Sequence, residues 1–427
     1  MVGGGERLAA QASAPTSIGI RGHVLLQNFS HFEETPTEHR HFRNAAVLQV
    51  EWTRQLERWV GIKLVGDARV DDSDFTKGIR FQIPDAARQR SQLNLVEAVL
   101  RVGHGPLELT VGKQIYAWGT ADAYNPTDNI NPYDYLDPID PEKLGVYSAA
   151  VHGTLGSTSV TVVAVGPFTP SRVPLSTSRW APTLLVESTP LIAERQLPST
   201  SYENIQWAAR VRTTFLGWDV TLSHFEGFED TPVFRQSIAA MPALAPGKMF
   251  TPVFTRLRAP GLAFSTTYRQ FEFHGEFAAK FVRSNGPEDR LQGIVGLNYS
   301  WDDLGFAWLE RISGVLEYAR EGVLRIVDPT ILRGSAATLA ALPDKAFRNA
   351  LIGRVGFTFT ENTELKLSGT ADFSRNLNHY VQPKLSHKFT HALQLDAGLD
   401  FFGGPDGSFW GRWADNDRFF AFLKYVF

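Results

Sequence analysis

Residues 271–281 have the sequence FEFHGEFAAKF, in which apolar and polar side chains alternate. Phe271 and Phe273 fall on one face of this stretch, and Glu272 and Glu276 fall on the other. Successive side chains of a β-strand point to opposite faces of the sheet, whereas a helix repeats its apolar positions every three or four residues. The stretch therefore predicts a β-strand with one apolar and one polar face.

The same alternation recurs along most of the chain. It is clear in IKLVGDARV at residues 62–70, in LELTV at 107–111 and in LQLDAGLDF at 393–401. Strands of about ten residues separated by turn-forming residues are typical of large antiparallel sheets. Counting them in this way predicts about 18 strands (16 to 18) within residues 17–427, with no interior linker that would divide the chain into domains.

The links between the predicted strands alternate between short and long. Tight turns such as GHGP and LGST are followed by long links at 31–43, 72–90, 118–143, 168–200, 228–249, 321–346 and 403–416. Two links that should be long, near 284–290 and 374–378, are short. This alternation predicts an all-β fold, a transmembrane up-and-down antiparallel β-barrel with short periplasmic turns and long extracellular loops.

Composition narrows the classes of function. The 427 residues carry a formal net charge of −3 without a dense basic run, which argues against a nucleic-acid-binding surface. Cysteine is absent, so disulfides, thiolate catalysis and cysteine-type zinc sites are excluded. No apolar stretch reaches the roughly 18 residues that a membrane-spanning helix requires. Residues 1–16 lack the apolar core of a secretory signal, and we expect them to form a tail outside the barrel.

Aromatic residues mark the predicted membrane boundaries. Trp59, Trp218 and Trp301 lie at tight turns, and Tyr116 and Trp118 lie at the opposite ends of strands. Tyrosine and tryptophan collect at the two interfaces of a membrane, so these positions predict two aromatic girdles.

The last ten residues, RFFAFLKYVF, place Phe419, Tyr425 and Phe427 on one face of a final strand. This ending resembles the C-terminal assembly signal of Gram-negative outer-membrane barrels. The resemblance implies that the chain resides in the outer membrane, in contact with its lipid and lipopolysaccharide. It also implies recognition by the barrel-assembly machinery through the strand that ends at Phe427.

A second resemblance lies in residues 109–134, LTVGKQIYAWGTADAYNPTDNINPYD. This stretch resembles a strand and loop of alginate-export-like porins and of related uncharacterised outer-membrane barrels. The matching residues are Gly112, Lys113, Gln114, Trp118, Gly119, Asn131 and Pro132. These families imply a passive or nearly passive outer-membrane channel without a cofactor, and some members are suspected of handling hydrophobic cargo. Many relatives have arginine where this chain has Lys113.

Strand alternation also predicts which charged side chains line the lumen. The basic candidates are Arg21, Lys63, Arg69, Arg101, Arg210, Arg212, Lys280, Arg354 and Lys366. The acidic candidates are Glu51, Asp67, Glu97, Glu108, Asp219, Glu272, Glu276, Asp372, Asp396 and Asp400. Because the two signs nearly balance, we expect no strong filter for anions or cations. Strict alternation sends Lys113 toward lipid, unless a β-bulge near Gly112 resets the pattern or the lysine reaches the rim.

The segment 118–143 is the third of the predicted long loops and is rich in proline and acidic residues. Proline stiffens a loop, so we expect this one to fold inward as a constriction loop. Its acidic residues are Asp122, Asp128, Asp134, Asp137, Asp140 and Glu142, and we expect them to face wall residues such as Lys63, Arg69 or Arg101. Turn capping by Asp and Asn explains the composition as well. Calcium binding by Asp134, Asp137, Asp140 and Glu142 is the alternative, although the EF-hand spacing is missing.

No catalytic or metal-binding motif is visible. The histidine-bearing segments 224–230 and 385–391 contain no serine in a recognisable nucleophile motif. Ser148 and His152 share one face of a predicted strand, but a histidine lining the lumen explains His152 more simply. We therefore expect no enzyme activity, no cofactor and no bound metal.

These observations predict an outer-membrane channel for passive diffusion or export of small solutes, selected by pore size and lumen charge. One alternative is a conduit for hydrophobic or lipid-like molecules that works with a periplasmic partner. Another is a barrel that serves as a sleeve around a partner or as an enzyme.

Overall fold

The computed structural model describes residues 18–181, 191–192, 194–239, 247–283, 286–306, 308–332, 347–374 and 376–427. The predicted tail, residues 1–16, lies outside the described residues. Within the described ranges, none of the helices is both long enough and apolar enough to span a membrane.

Antiparallel strands make up most of the described chain, as the period-2 pattern predicts. The barrel strands are β1 (Ile18–His31), β2 (Phe42–Glu57), β3 (Val60–Asp71), β4 (Leu93–His104), β5 (Leu107–Gln114), β6 (Val146–Leu155), β7 (Thr158–Val165), β8 (Gln206–Phe215) and β9 (Trp218–Phe228). They continue with β10 (Arg256–Tyr268), β11 (Phe271–Val282), β12 (Glu288–Phe306), β13 (Leu309–Ile326), β14 (Asn349–Thr360), β15 (Thr363–Asp372), β16 (Asn378–Lys388), β17 (Leu393–Gly403) and β18 (Arg418–Val426).

The sheet closes on itself. Each strand pairs with the next one along the chain, and β18 pairs with β1 from His23 opposite Val426 to His31 opposite Arg418. A closed sheet has no unpaired edge, so its backbone groups can pair internally even in lipid. The predicted fold class and the count of 18 strands are confirmed.

The links sort onto two rims. Links of two to four residues, such as 58–59, 105–106 and 389–392, form the short-turn rim. The opposite, long-loop rim carries the links 32–41, 72–92, 115–145, 166–205, 229–255, 283–287, 327–348, 373–377 and 404–417. The two short links that interrupt the predicted alternation both lie on this rim. Two strands within the loops, Val233–Ala239 and Gly247–Val253, pair with each other and with Ile331–Leu332 and Leu191–Ile192.

The two faces of the wall differ as predicted. On β11, Phe273 and Phe277 on the outer face are about 40% exposed, whereas Glu276 on the inner face is completely buried. Trp59 and Trp218 are also about half exposed at the short-turn rim. The outer surface is therefore apolar where it would meet lipid.

Two aromatic residues do not join a girdle. Tyr116 and Trp118 are buried, and the ring of Trp118 lies inside the barrel under the guanidinium of Arg210, with 4.9 Å between the guanidinium carbon and the ring centre. The prediction that these two residues mark the opposite interface is wrong, because the chain turns into the lumen directly after Gln114.

Lys113 is buried inside the barrel, where its Nζ donates a 2.6 Å hydrogen bond to the carbonyl oxygen of Leu95. Neither pairing of β5 has a register shift, so the bulge does not lie in β5, whereas β4 shifts by one residue against β3 between Leu95 and Glu97. Gly112 has a φ of +132°, which L-amino acids avoid, and a Cβ there would collide with the carbonyl of Ala98. The glycine therefore changes the backbone direction just before Lys113, beside the register shift of the neighbouring strand β4.

Candidate functional site

The third loop, residues 115–145, folds into the barrel, and Asn131 closes its base. The backbone N–H of Tyr116 donates to Asn131 Oδ1 at 2.7 Å. The Asn131 amide donates in turn to the carbonyls of Gln114 at 3.0 Å and Leu144 at 2.8 Å. One asparagine thus joins the two ends of the loop, which gives a physical role to a residue of the NP motif.

Glu276 on β11 holds the first part of the loop. Its carboxylate accepts hydrogen bonds from the backbone N–H of Ala121 at 2.8 Å and from the Thr127 hydroxyl at 2.8 Å. The backbone N–H groups of Thr120 and Thr127 also donate to it. Hydrogen bonds to an ionised acceptor are the stronger kind, so this carboxylate fixes the loop at several points.

Glu317 on β13 supplies a second attachment. It accepts from the backbone N–H of Asp122 at 2.7 Å and of Ala123 at 3.1 Å, and it pairs with His274 Nε2 at 2.8 Å. We call Glu276 and Glu317 together the carboxylate latch. Neither Glu317 nor His274 appears among the predicted site residues, although their inward alternation on β13 and β11 was readable from the sequence.

Gly296 on β12 makes the second attachment possible. His274, Gly296 and Glu317 lie opposite one another on three neighbouring strands. A Cβ at position 296 would collide with the imidazole of His274, so the missing side chain lets the histidine reach across β12 to Glu317.

The latch and the base of the loop lie on opposite sides of the lumen. The loop leaves the wall at β5 and is held at β11 and β13, six and eight strands away in a ring of 18. The third loop therefore crosses the inside of the barrel.

Asp134 is buried at 2% exposure and lies between two arginines of other loops. Arg90 Nε donates to it at 2.9 Å, and Arg172 Nη1 donates at 2.9 Å. Burial alone would raise the pKa of Asp134, but the two guanidiniums outweigh burial and hold the pKa below its ordinary value. This part of the loop is consequently tied to the second and fourth long loops.

Asp137 fixes the far end of the loop to the wall formed by β2 and β18. Its carboxylate pairs with Arg43 at 2.9 Å and with Arg418 at 2.7 Å, and Arg418 also pairs with Asp400 at 2.6 Å. We call these four residues the buried ion network, because each is at most 6% exposed. Strand alternation correctly predicts that Asp400 lies on the inner face of the barrel. Arg43 and Arg418 are not among the site residues predicted from the sequence.

The other acidic residues of the loop have separate partners. Asp122 accepts from Arg354 at 2.8 Å, Glu142 pairs with Arg69 at 2.7 Å, Asp128 pairs with Lys143, and Asp140 is exposed. Because the acidic side chains meet different cations, Asp134, Asp137, Asp140 and Glu142 do not gather into the calcium site considered from the sequence.

Two predicted facing residues do not meet the loop. Lys63 pairs with Glu97 at 2.5 Å and Arg101 lies 3.7 Å from Glu108, all on the wall. Cross-strand neighbours are closer than a loop in the lumen, so these ion pairs form along the sheet. Arg69 alone of the three residues proposed to face the loop does so, through Glu142.

The remaining predicted lumen residues lie on the inner face of the wall, where several also pair along the sheet. These pairs are Arg21 with Glu51, Arg69 with Asp67, Arg212 with Asp219 and Lys366 with Glu364. Glu272 is inward by alternation with Phe271 and Phe273, which are exposed outside. Their role in selectivity stays a prediction.

A cavity of about 380 Å³ lies between the third loop and the long-loop ends of β9 to β12, β15 and β16. Its aromatic lining includes Tyr124, Tyr133, Tyr135, Phe228, Tyr380 and Trp410, and its polar lining includes Asp128, Asn129, Lys280 and Gln292. Its size falls within the range of about 300–1,000 Å³ found for small-molecule sites.

Asp128 should make ion preference depend on pH. Burial raises its pKa to about 6, although Lys143 opposes this shift. The carboxyl is then neutral below about pH 6 and charged above it, so raising the pH should increase the preference for cations. Reversal potentials across a KCl gradient at about pH 5 and pH 7 measure the effect. We expect Asp128→Asn to weaken the pH dependence, and an unchanged dependence would contradict this assignment.

Two further groups of side chains carry metal-ligating or nucleophilic atoms. Asp122, His274 and Glu317 each bring one potential ligand atom within 4.8 Å of the others, but they already bond to Arg354, to each other and to the loop backbone. Ser148 pairs with Tyr116, whereas His152 pairs with Thr161. Ser148 and His152 therefore do not form a nucleophile and base.

Comparison with known proteins identifies the fold. No protein-family profile matches the chain, and no curated protein sequence matches it. Among similar solved structures is Pseudomonas aeruginosa OccK11 (OpdR), with a TM-score of 0.52 and 10% sequence identity, where the match covers 96% of this chain and 95% of that chain. Another is a BenF-like porin from Pseudomonas fluorescens Pf-5, with a TM-score of 0.53 and 8% sequence identity, where the match covers 96% of this chain and 98% of that chain. The chain thus has the fold of outer-membrane porin barrels, as predicted.

Proposed function

We propose that this protein is a channel in the outer membrane of a Gram-negative bacterium, through which small solutes diffuse. The observation that carries the proposal is the third loop, which crosses the lumen of a closed 18-strand barrel and is held by the carboxylate latch. A barrel of this size has a lumen too wide for wall side chains alone to fill, so a loop inside it sets the width. The likeness to porin barrels supports the same function.

In the proposed orientation, the short turns face the periplasm and the long loops face outward. Trp59, Trp218 and Trp301 then lie at the periplasmic membrane interface, where tryptophan is favoured. The apolar outer wall contacts membrane lipid, and the long-loop rim contacts lipopolysaccharide.

Selection requires no chemical step. A solute enters the cavity at the long-loop end, passes the third loop and continues through a section with mostly paired wall charges. Pairs such as Arg21 with Glu51 and Arg212 with Asp219 leave little net charge on the part of the wall nearer the short-turn rim. Solute size is therefore the main criterion and charge a secondary one.

The final residue supports the proposed recognition by the barrel-assembly machinery. Phe427 exchanges backbone hydrogen bonds of 2.8 and 2.9 Å with Gly22. A side chain on Gly22 would collide with the Phe427 ring, so the glycine makes room for this ring at the seam between β18 and β1. We propose that such machinery recognises β18 together with the exposed Phe427 ring before this seam closes.

Planar-bilayer recording of the purified barrel tests the proposal. We expect stable conductance steps in KCl and retarded passage of solutes as their size increases. The alternative conduit for hydrophobic molecules is favoured by the aromatic lining of the cavity, including Phe228 and Trp410. A barrel that stays silent while lipid copurifies in its lumen would overturn the channel and favour the conduit. The sleeve is disfavoured, because the third loop occupies the path that a threaded partner needs.

A further inference from the structure

Arginine side chains gather on the outer face of the wall, at the long-loop end of β10 to β13. Arg258 lies opposite both Glu226 and Phe281 in the sheet register, and residues directly opposite each other face the same side of a sheet. Because the Phe281 side chain is 44% exposed on the outer face, Arg258 and Glu226 face outward as well. Arg283 follows Phe281 by two residues and therefore shares that face.

The carboxylate of Glu226 is shared by three guanidinium groups. It pairs with Arg283 at 2.6 Å and with Arg258 at 3.2 Å, and Arg256 lies 3.8 Å from it. The side chain of Arg256 is only 19% exposed, whereas those of Arg258 and Arg283 are 56% and 52% exposed. One carboxylate cannot neutralise three guanidinium groups, so this group is positively charged and has free N–H donors at the surface.

Arg325 extends the group across two further strands. It pairs with Asp289 at 2.7 Å, and its side chain is 67% exposed. Asp289 comes two residues before Leu291, which is exposed on the outer face, so the pair faces outward. The other oxygen of Asp289 accepts from the backbone N–H of Val282 at 2.9 Å, next to Arg283. We call this group of outward-facing residues the basic patch: Arg256, Arg258, Arg283 and Arg325, with Glu226 and Asp289.

The basic patch lies where the apolar wall meets the long-loop rim. Toward the short-turn rim, the same strands present Leu262, Phe277 and Val295 on the outer face, each about 40% exposed. An arginine on the lipid-facing side of a barrel is destabilising at the bilayer midplane but nearly neutral at the interfaces. The patch is therefore at the level of lipid headgroups, which belong to the outer leaflet in the proposed orientation.

Two features make the patch a local site and not a ring around the barrel. The link after β11, residues 283–287, is one of the two short links on the long-loop rim, so no long loop follows Arg283. On the opposite side of the ring, β1 and β2 present Asn28 and Asn44 near this rim. Asn28 donates to Asn44 at 2.8 Å, and Asn44 donates to Asp72 at 2.9 Å. Amides and a carboxylate thus stand where the other side has guanidinium groups.

We propose that the basic patch binds the phosphate groups of a glycolipid of the outer leaflet, whose acyl chains lie along the apolar wall of β10 to β12. A guanidinium donates two parallel N–H bonds to a phosphate. Arg258, Arg283 and Arg325 supply three exposed guanidiniums on adjacent strands that together span about 14 Å, so one headgroup with two phosphates can contact more than one arginine. The site rests on the proposed orientation, since only an outward long-loop rim brings the patch to that leaflet.

Native mass spectrometry of the purified, detergent-solubilised full chain tests the site, because it counts the lipids bound to each chain. We expect diphosphoryl lipid A, a glycolipid with two phosphates, to bind. Phosphatidylethanolamine, whose single phosphate is balanced by an amine, should not bind at the same concentration. Inorganic phosphate in excess should not displace lipid A. Absence of lipid A binding would overturn the proposal, and so would displacement by inorganic phosphate, which would indicate a site for a free anion.

A double variant, Arg258→Gln with Arg283→Gln, locates the lipid. We expect it to bind lipid A about tenfold more weakly or worse, because it loses charge-assisted hydrogen bonds. The matching Arg→Lys double variant keeps both charges and should retain part of the affinity. The control is Arg54→Gln with Arg58→Gln, which removes the same charge from exposed positions at the short-turn rim and should bind normally. Gel mobility of the folded barrel checks that each variant folds.

Two outcomes of the variant experiment would refute the site. One is unchanged lipid A affinity in the Arg258→Gln, Arg283→Gln variant. The other is a two-chain species that this variant abolishes, which would assign the surface to a second copy of the chain. KCl conductance of the unmodified protein tests the channel separately. A conducting barrel without lipid A binding would refute the site alone, and a silent barrel that binds lipid A would refute the channel alone.

Discussion

Replacing Glu276 with alanine is expected to release the first part of the third loop and to increase single-channel conductance about twofold or more, because conductance follows the open cross-section. Glu276 is completely buried and receives the backbone N–H groups of Thr120, Ala121 and Thr127. Each buried N–H left unpaired costs about 1–3 kcal/mol of free energy. After the substitution, the loop therefore has a lower free energy with these N–H groups exposed to water than with them buried against the wall.

Planar-bilayer recording in KCl measures this effect, and Glu272→Ala provides the matched control. Glu272 lies on the inner face of the same strand, four residues toward the short-turn rim, and has no hydrogen bond to the third loop among the described contacts. We expect the conductance of Glu272→Ala to stay close to that of the unmodified protein. Equal conductance in the two variants would show that the latch does not hold the loop.

A second variant tests the contribution of Glu317, the other residue of the carboxylate latch. Glu317→Gln keeps one acceptor oxygen for the loop backbone but removes the charge that pairs with His274. We expect a smaller increase in conductance than with Glu276→Ala, since part of the attachment remains.

Replacing Asp137 with alanine is expected to destabilise the barrel by about 3–5 kcal/mol, the usual cost of breaking a buried ion pair. The substitution leaves Arg43 without its carboxylate partner and Arg418 with Asp400 alone. Thermal or denaturant unfolding in detergent, followed by the mobility shift of the folded barrel, measures the loss. Asp406→Ala is the control, since Asp406 is an exposed carboxylate of the last long loop and should change stability by less than about 0.5 kcal/mol.

The pH dependence of this contribution has a defined sign. Burial would raise the pKa of Asp137, but Arg418 and Arg43 outweigh burial and hold it below its ordinary value. A depressed pKa gives stability that is fully present above the unfolded value of about 3.9 and is lost as the pH falls through the folded value. The network should therefore persist at about pH 5. A loss of the difference between the unmodified protein and Asp137→Ala already at that pH would contradict the assignment.

The wall of the barrel could be predicted from the sequence because its pattern is local. Alternation in residues 271–281 places Glu272 and Glu276 on the inner face, and the spacing of tight turns orders the strands and sorts the loops onto two rims. Each of these inferences needs only neighbouring residues, since the strand period of two acts at every step along the chain.

The contacts of the third loop could not be predicted in the same way. Alternation treats Glu272 and Glu276 as equals, yet only Glu276 receives the loop, from residues about 150 positions earlier in the chain. The cations that meet Asp134 and Asp137 come from distant loops and strands, so sequence proximity gives no information about them.

Sequence alone therefore determined the barrel, its two rims and the inward face along most of the wall, because these follow from local periodicity and turn chemistry. Tertiary structure alone decided where the third loop crosses the lumen and which carboxylates hold it. Those outcomes depend on side chains that meet only after the sheet has closed. Gly296 illustrates the difference: in the sequence it is one more glycine in a strand, whereas in the closed barrel it is the space through which His274 reaches Glu317.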